Sequence, residues 1–331
     1  MTSDPGATGD GVLCVGEALL AMAPAASGPL ESVDGFVATV AGSELNTAVG
    51  LTRLGLSAAF AGAVGDDGFG RRVRRHLRGE GVSTEHMSLV EGAPTGVLFK
   101  ARDLLGGDPE VLYYRAQSPM GQGRWEAAQL AAELRAGRWR WVHTTGITWM
   151  LHEKTRDTLR PLLEAAKSSG ATISFDVNIR LKLGPIEAWR LHLRSVLPYA
   201  DCLICGDAEG AQLAGGEGVE AFLEWAGAAG FRGTEWVWRK GADGAEALRS
   251  GRQERTDAWP VSRVVDTVGA GDGFTAGYIA ASLWGWPLDR VLRLASLIGG
   301  YAVASPGDHD GYPDRARALK ALGETAAGPT R

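Results

Sequence analysis

Between Asp266 and Asp272 the chain reads D-T-V-G-A-G-D, which sets a carboxylate directly behind two glycines at the mouth of a predicted helix. Gly269 and Gly271 can take backbone angles closed to other residues, and Ala270 between them adds almost no bulk, so successive N–H groups can converge on an anion. The helix predicted to begin near Asp272 adds its own unpaired N–H groups and the positive end of its dipole. Such a turn can hold a phosphate while Asp272 takes the proton of an alcohol beside it. The same residues would also serve as a glycine turn closed by a capping Asp, and the seven residues alone leave both readings open. Downstream, Gly273, Ala276, Gly277, Ala280 and Ala281 keep the helix slim, and Phe274 and Tyr278 share one face at i,i+4 spacing. No G-x-x-x-x-G-K-[ST] string occurs, and Gly16-Glu17-Ala18 after the first strand is no G-x-G-x-x-G, so the Walker loop and the dinucleotide fingerprint are both excluded.

The elements that must position this turn follow from periodicity. Apolar runs at 12–15, 59–64, 141–144, 172–175, 202–205 and 235–238 read as strands, and helical patterns at 124–136, 153–168, 187–196 and 217–229 lie between them. This alternation predicts an α/β fold with a mainly parallel sheet and helices on both faces. Leu288, Val291, Leu292, Ala295 and Ile298 form an apolar helical stripe that belongs to the core. Open α/β sheets bind ligands beyond the carboxyl ends of their strands. D-V-N-I-R brings Asp176, Asn178 and Arg180 out at one such end, and R-K-G-A-D-G at 239–244 follows another, where G-A-D-G also reads as a simple hairpin turn. Segments 30–42 and 92–115 depart from the regular pattern, with T-G-V-L-F-K and V-L-Y-Y-R flanking the turn-like G-G-D-P at 106–109.

Composition narrows the function classes. The chain has 331 residues, 45% of them hydrophobic, and a net charge of -5, which suits a soluble enzyme and does not favour nucleic acid. Arg71, Arg72, Arg74, Arg75 and Arg78 spread around a helix as a solvated face. The first 11 residues lack the basic start and apolar run of a signal peptide, and no apolar stretch is long enough to cross a bilayer, so a cytoplasmic protein without membrane partners is expected. Cys14, Cys202 and Cys205 read as core thiols, because Cys202-x-x-Cys205 lies in an apolar strand with no second pair and no nearby His. The six histidines show no metal spacing, and Asp308-His309-Asp310 reads as a loop between Pro306 and Pro313.

The D-T-V-G-A-G-D segment with G-F-T-A-G at 273–277 resembles the C-terminal signature of the ribokinase-like (PfkB) carbohydrate kinases. A second match lies far away, in A-G-S-E-L-N-T-A at 41–48, Gly55, and A-V-G-D-D-G-F-G around Gly65. The resemblance runs through D-V-N-I-R and R-K-G-A-D-G, and so covers nearly the whole chain. It implies a single three-layer ribokinase-like domain over 1–331, with a small discontinuous β lid from 30–42 and 92–118 and flexible ends at 1–11 and 322–331. The implied activity is transfer of the γ-phosphoryl group of ATP, with Mg2+, to a primary hydroxyl. Asp272 would accept the hydroxyl proton, and the amides of Gly269, Ala270 and Gly271 would stabilise charge on the transferring group.

The resemblance also implies the remaining roles. Lys240, Gly241, Gly244 and Thr267, with Gly269 and Gly271, would hold ATP, and Gly42, Asn46, Asn178 and Asp308 would contact the sugar. Tyr113-Tyr114-Arg115, Ser118 and Arg180 resemble the 2-keto-3-deoxygluconate kinase branch, in which Tyr113, Arg115 and Arg180 would meet an acid end, since a planar guanidinium pairs bidentately with a carboxylate. Three positions depart from the pattern: Glu44 where a small residue is usual, Leu98 where the branch often has Tyr, and Gly206 in place of the Asn of an N-x-x-E motif. Glu209 of that motif is kept, as an indirect magnesium holder acting through water, with Asp207 beside Gly206. A fructokinase, ribokinase or nucleoside kinase is the alternative enzyme, and a non-catalytic sugar-binding regulator is the alternative of another class. Lids of this family often pair between subunits, so a homodimer is expected.

Overall fold

The computed structural model describes residues 11–25, 30–101 and 110–323. Strands β1 (Gly11–Val15), β2 (Leu19–Pro24) and β3 (Phe36–Ala41) lead into helix α1 (Ser43–Arg53), followed by β4 (Ala58–Gly65), α2 (Gly68–Gly79), β5 (Met87–Val90), β6 (Val97–Ala101) and β7 (Glu110–Tyr114). The chain continues through α3 (Ala128–Arg135), β8 (Trp139–Thr145), α4 (Gly146–Leu151), α5 (Glu153–Ser169), β9 (Thr172–Asp176), α6 (Ile186–Leu193), β10 (Cys202–Gly206), α7 (Asp207–Ala214) and α8 (Gly218–Ala228). Strands β11 (Glu235–Arg239), β12 (Ala245–Arg249) and β13 (Arg252–Thr256) and helices α9 (Ala270–Leu283), α10 (Leu288–Val303) and α11 (Arg315–Ala321) complete it.

Nine strands form one sheet in the order β13-β12-β11-β10-β9-β8-β1-β4-β5. The pairs from β5 to β11 are parallel, and β11–β12 and β12–β13 are antiparallel. Alternation of side chains across the pleat splits the core. Val12 and Cys14 of β1 face one cluster with α1, α9 and α10, while Leu13 and Val15 face another with α3, α5, α6 and α8. Cys202 and Cys205 fall in opposite clusters, so the two free thiols lie on opposite faces of β10 and cannot act as a pair. The stripe on α10 is buried as read, and so are Phe274 and Tyr278. Most of the arginines on α2 are exposed, while Val73 and Leu77 carry its apolar face.

Strand order reverses between β1, whose chain runs on to β4, and β8, from which later strands extend the other way. Ligands in open α/β sheets sit at such a switch point. Above it stands a second sheet of four strands, in the order β3-β2-β6-β7, whose small core is Leu19, Ala21, Ala41 and Leu98. The irregular segments at 30–42 and 92–115 thus supply three lid strands; the fourth, β2, was not anticipated, because only Gly16–Ala18 separate it from β1. The G-G-D-P turn at 106–109 lies outside the described residues. So do 1–10 and 324–331 of the ends read as flexible; Gly11 already pairs in β1, and Leu322 is buried. Helix α3 is shorter than the 124–136 pattern, starting at Ala128.

Candidate active site

A cavity of about 830 Å³ opens between the carboxyl ends of the sheet and the lid. Its floor is the N-terminus of α9. Gly269 is the N-cap, with φ 80°, and a Cβ there would stand 1.8 Å from the carbonyl oxygen of Asp308, so both conformation and space require glycine. The first helical bond is closed by Gly273, whose N–H donates to Gly269 O at 2.9 Å. The amides of Gly271 and Asp272 in the turn before it are left without helical acceptors, as at any helix start. Ala270 differs from its sequence-based role: it is off the cavity wall, and its N–H reaches back to Thr267 O at 3.4 Å.

Asp272 is the carboxylate on this floor. Ser43 Oγ donates to its Oδ1 at 2.6 Å and Asn46 Nδ2 to its Oδ2 at 2.7 Å. Burial raises its pKa against the lowering effect of those two donors. Asn178 Nδ2 in turn donates to Ser43 Oγ at 2.8 Å from a left-handed backbone with φ 43°. That conformation is uncommon outside Gly and tolerated best by Asn and Asp. Gly42, ahead of α1, has φ 149° and no room for a side chain, since a Cβ would stand 2.3 Å from Glu17 O.

Glu44, the departure from the N-terminal signature, is accommodated by the end of β8 and the first turn of α4. Its Oε1 accepts from the Thr145 N–H at 3.1 Å, Thr145 Oγ1 at 2.8 Å and Thr148 Oγ1 at 2.7 Å. Burial pushes its carboxyl up to about 7 despite these donors. At Gly206, another of the three departures, Glu209 Oε2 accepts from Gly206 N at 3.0 Å and Oε1 from Ile179 N at 2.9 Å. The carboxylate thus holds the starts of two loops, while Gly206 and Glu209 both line the cavity.

Charged side chains fill the lid side. Arg115 is buried, donates from Nη1 to Glu17 Oε2 at 2.8 Å, and lies 4.3 Å over the Tyr113 ring. Its Nη2 is buried without a protein partner. Burial, the largest influence on Glu17, raises its pKa, with Arg115 pulling the other way. Arg180 keeps its side chain 43% exposed, with Nη1 on its own Ile179 O at 2.8 Å and 3.9 Å from Glu209. Lys100 of the lid is ion-paired with Asp308.

The structure therefore gathers Gly42, Asn46, Tyr113, Arg115, Asn178, Arg180, Glu209, Thr267, Gly269, Gly271, Asp272 and Asp308 around one space. Lys240, Gly241 and Gly244 are not on that wall: they form the turn between β11 and β12, closed by Lys240 N on Gly244 O at 2.8 Å, with Lys240 Nζ 3.3 Å from Glu246. The hairpin reading of G-A-D-G describes them. Sequence reasoning missed Arg239, which donates from Nη2 to Asp176 Oδ1 at 2.7 Å and from Nη1 to Gly271 O at 3.1 Å and so ties β9, β11 and α9 together. Burial raises the Asp176 carboxyl although Arg239 pulls it down. Glu17, Ser43 and Lys100 were also missed. The R-K-G-A-D-G string contained Arg239, but no local signal assigned it a partner.

An aspartate seated behind a helix-start amide pocket, at the switch point of an open α/β sheet and under a four-stranded cover, defines a phosphotransferase acting on an alcohol. Residues 10–315 match the pfkB family carbohydrate kinase pattern. The chain belongs to the pfkB family of carbohydrate kinases. It is 33% identical over 296 residues to the 2-dehydro-3-deoxygluconokinase of Bacillus subtilis, covering 87% of this chain and 88% of that protein. It is 31% identical over 322 residues to that of Thermoproteus tenax, covering 94% of each. The expected ribokinase-like fold is the observed one: the crystal structure of a putative ribokinase II from E. coli, in complex with ATP and Mg2+, superposes with a TM-score of 0.81 at 23% identity, covering 95% of this chain and 99% of that one.

Proposed function

We propose that the chain phosphorylates a primary hydroxyl of 2-keto-3-deoxygluconate or a closely related acid sugar, with ATP as phosphoryl donor. The observation that carries this reading is Arg115 Nη2, a buried cationic donor on the cavity wall with no protein acceptor. Leaving such a donor unpaired is costly, and a carboxylate is the acceptor that relieves it best. Arg180, open to the same space, supplies a second fork. The names of the two relatives agree with this chemistry.

Asp272 accepts the hydroxyl proton as attack proceeds, held in aim by Ser43 and Asn46. In a loose phosphoryl-transfer transition state, aim matters more than strong basicity. The amides of the Gly269–Asp272 turn meet the charge that develops on the transferring group. The donor set fits a magnesium ion held through water: Glu209 already spends one lone pair of each oxygen on an amide and still faces the cavity. Magnesium held there supplies positive charge beside the phosphates. Thr267, Gly269 and Gly271 line the phosphate end, and the Lys240–Gly244 turn extends the ATP side beyond the cavity.

The molecule is read as one domain with its lid, working in the cytoplasm, and as a homodimer joined lid to lid. Phe36, Phe99 and Tyr114 stack edge to face on the lid surface opposite Leu98 and Tyr113, where Tyr114 is exposed. Among the described residues no helix is long and apolar enough to cross a membrane. A coupled ADP-release assay over keto-deoxy acids, fructose, ribose and nucleosides tests the substrate. Arg180→Ala is expected to lower kcat/KM for the acid sugar about 10- to 100-fold and leave neutral sugars alone. Equal turnover of fructose or ribose by the unaltered enzyme sinks the acid-sugar reading.

A further inference from the structure

Asp308-His309-Asp310 reads from sequence as a plain loop, yet His309 is 2% exposed and sits in a hydrogen-bonded chain that ends on the catalytic carboxylate. Its Nδ1 lies 2.8 Å from Asn46 Oδ1, and its Nε2 lies 2.8 Å from His76 Nε2 on α2. Asn46 passes the chain on, from Nδ2 to Asp272 Oδ2.

The proton positions follow from which atoms can donate. Asn46 Oδ1 only accepts, so the His309 Nδ1 carries a hydrogen. Neutral His309 then has a lone pair on Nε2, and His76 donates to it from its own Nε2–H. Burial, the largest influence, holds His309 down at about 3, and so neutral, and it lowers His76 as well.

We propose that His309 is a positioning residue for phosphoryl transfer: its Nδ1–H fixes the side-chain amide of Asn46 so that the NH2 group, and not the carbonyl, faces Asp272. An asparagine amide fits its pocket almost equally well either way round, and the flipped form would set its oxygen against the Asp272 carboxylate. The loop is built to hold the imidazole in place. Arg53 of α1 donates from Nη1 to the carbonyl oxygens of His309 at 2.8 Å and Tyr312 at 3.0 Å, and pairs with Glu80 beyond the end of α2 at 2.8 Å. The other charges around the two imidazoles are Arg72 on α2, Lys100 on β6 and Asp310 in the loop. Those facing Asp272 are Asp308 and Arg180, and the buried Glu44, Asp176 and Tyr312 lie within its field. None of these can make the bond to the Asn46 amide.

The inference rests on Asp272 as the proton acceptor. Loss of the Asn46 donor removes a hydrogen bond to the ionised carboxylate, so its pKa rises and the acid limb of turnover moves to higher pH. The test compares His309→Phe with His309→Asn, which can restore a side-chain N–H donor, and with Asp272→Asn as reference. Rates are taken against pH with the best sugar from the ADP-release assay, and thermal midpoints are recorded in parallel.

His309→Phe is expected to lower kcat about 10- to 100-fold, to shift the acid limb upward and to leave the KM for ATP unchanged, with His309→Asn recovering most of the rate. An unchanged kcat and acid limb in His309→Phe overturns the proposal, and so does equal loss in both His309 variants. If His309→Phe does not fold, His76→Leu reads the same chain from its far end: a smaller upward shift is expected there, and an unmoved profile overturns the proposal. Full activity in Asp272→Asn removes the catalytic reading itself. An inactive Asp272→Asn beside an unaltered His309→Phe removes the positioning role alone.

Discussion

The two walls of the cleft are built from different materials. On the sheet side, the proposed phosphate end is made of main-chain amides at the start of α9, a helix whose residues Gly273 to Ala281 are all buried. On the lid side, the cavity is lined by side chains, Lys100, Tyr113 and Arg115, on and beside a four-stranded sheet whose own buried core is four residues, and the proposed function gives Tyr113 and Arg115 to substrate recognition. Backbone donors have no alternative rotamers and depend only on the fold, whereas charged side chains are exchanged by single substitutions. On the proposed function, the contrast teaches a division of labour: chemistry is anchored in the large core, and selectivity in the small one.

Four measurements break or sharpen that contrast. Asp272→Asn is expected to lower kcat about 10²- to 10⁴-fold with little change in thermal midpoint, because it removes the proton acceptor and keeps the shape; normal turnover would detach the chemistry from this wall. Gly269→Ala should cost about 10²- to 10³-fold in kcat, since the added methyl meets Asp308 O and a left-handed turn that Ala resists must move the amides. Activity equal to the unaltered enzyme would show that the cradle is not rigid.

Core truncations compare the walls directly. Phe60→Ala, on β4 in the large core, is expected to destabilise the whole molecule by about 3–5 kcal/mol and to lower the thermal midpoint. Leu98→Ala, in the lid core, should instead speed hydrogen exchange in β2, β3, β6 and β7 and raise the sugar KM, with the large sheet left protected. Matching exchange behaviour in the two variants would mean that the sheets unfold as one unit.

The smallest effect is the pH dependence. The proposed proton acceptor Asp272 would work ionised, and its pKa is raised by burial. Turnover is therefore full above the raised value and falls about tenfold per unit as pH drops through it, earlier than for a free Asp near 3.9. A rate that holds down to the free-Asp value contradicts the buried setting.

What could be read from the sequence was what is local. Asp272 and its glycines are contiguous, the strand at 202–205 carries an unbroken apolar run and that at 172–175 alternates polar with apolar residues, so periodicity finds them. Arg239 and Gly271, Glu17 and Arg115, and Lys100 and Asp308 meet only after folding, across 32, 98 and 208 positions, and no spacing rule reaches that far. Arg115 illustrates the limit. Its type suggested a carboxylate, but not that Glu17 takes one side of the guanidinium and leaves the other open. His309 was hidden for a different reason, since a Pro- and Gly-bounded loop predicts exposure and this one is pinned down by Arg53.

Because Gly273 to Ala281 of α9 are all buried, this stretch has no solvent-facing flank along which to tilt or slide. The proposed proton acceptor at its tip is consequently a stationary anvil. Any movement that admits a substrate is therefore left to the thin four-stranded cover, whose own core is four residues.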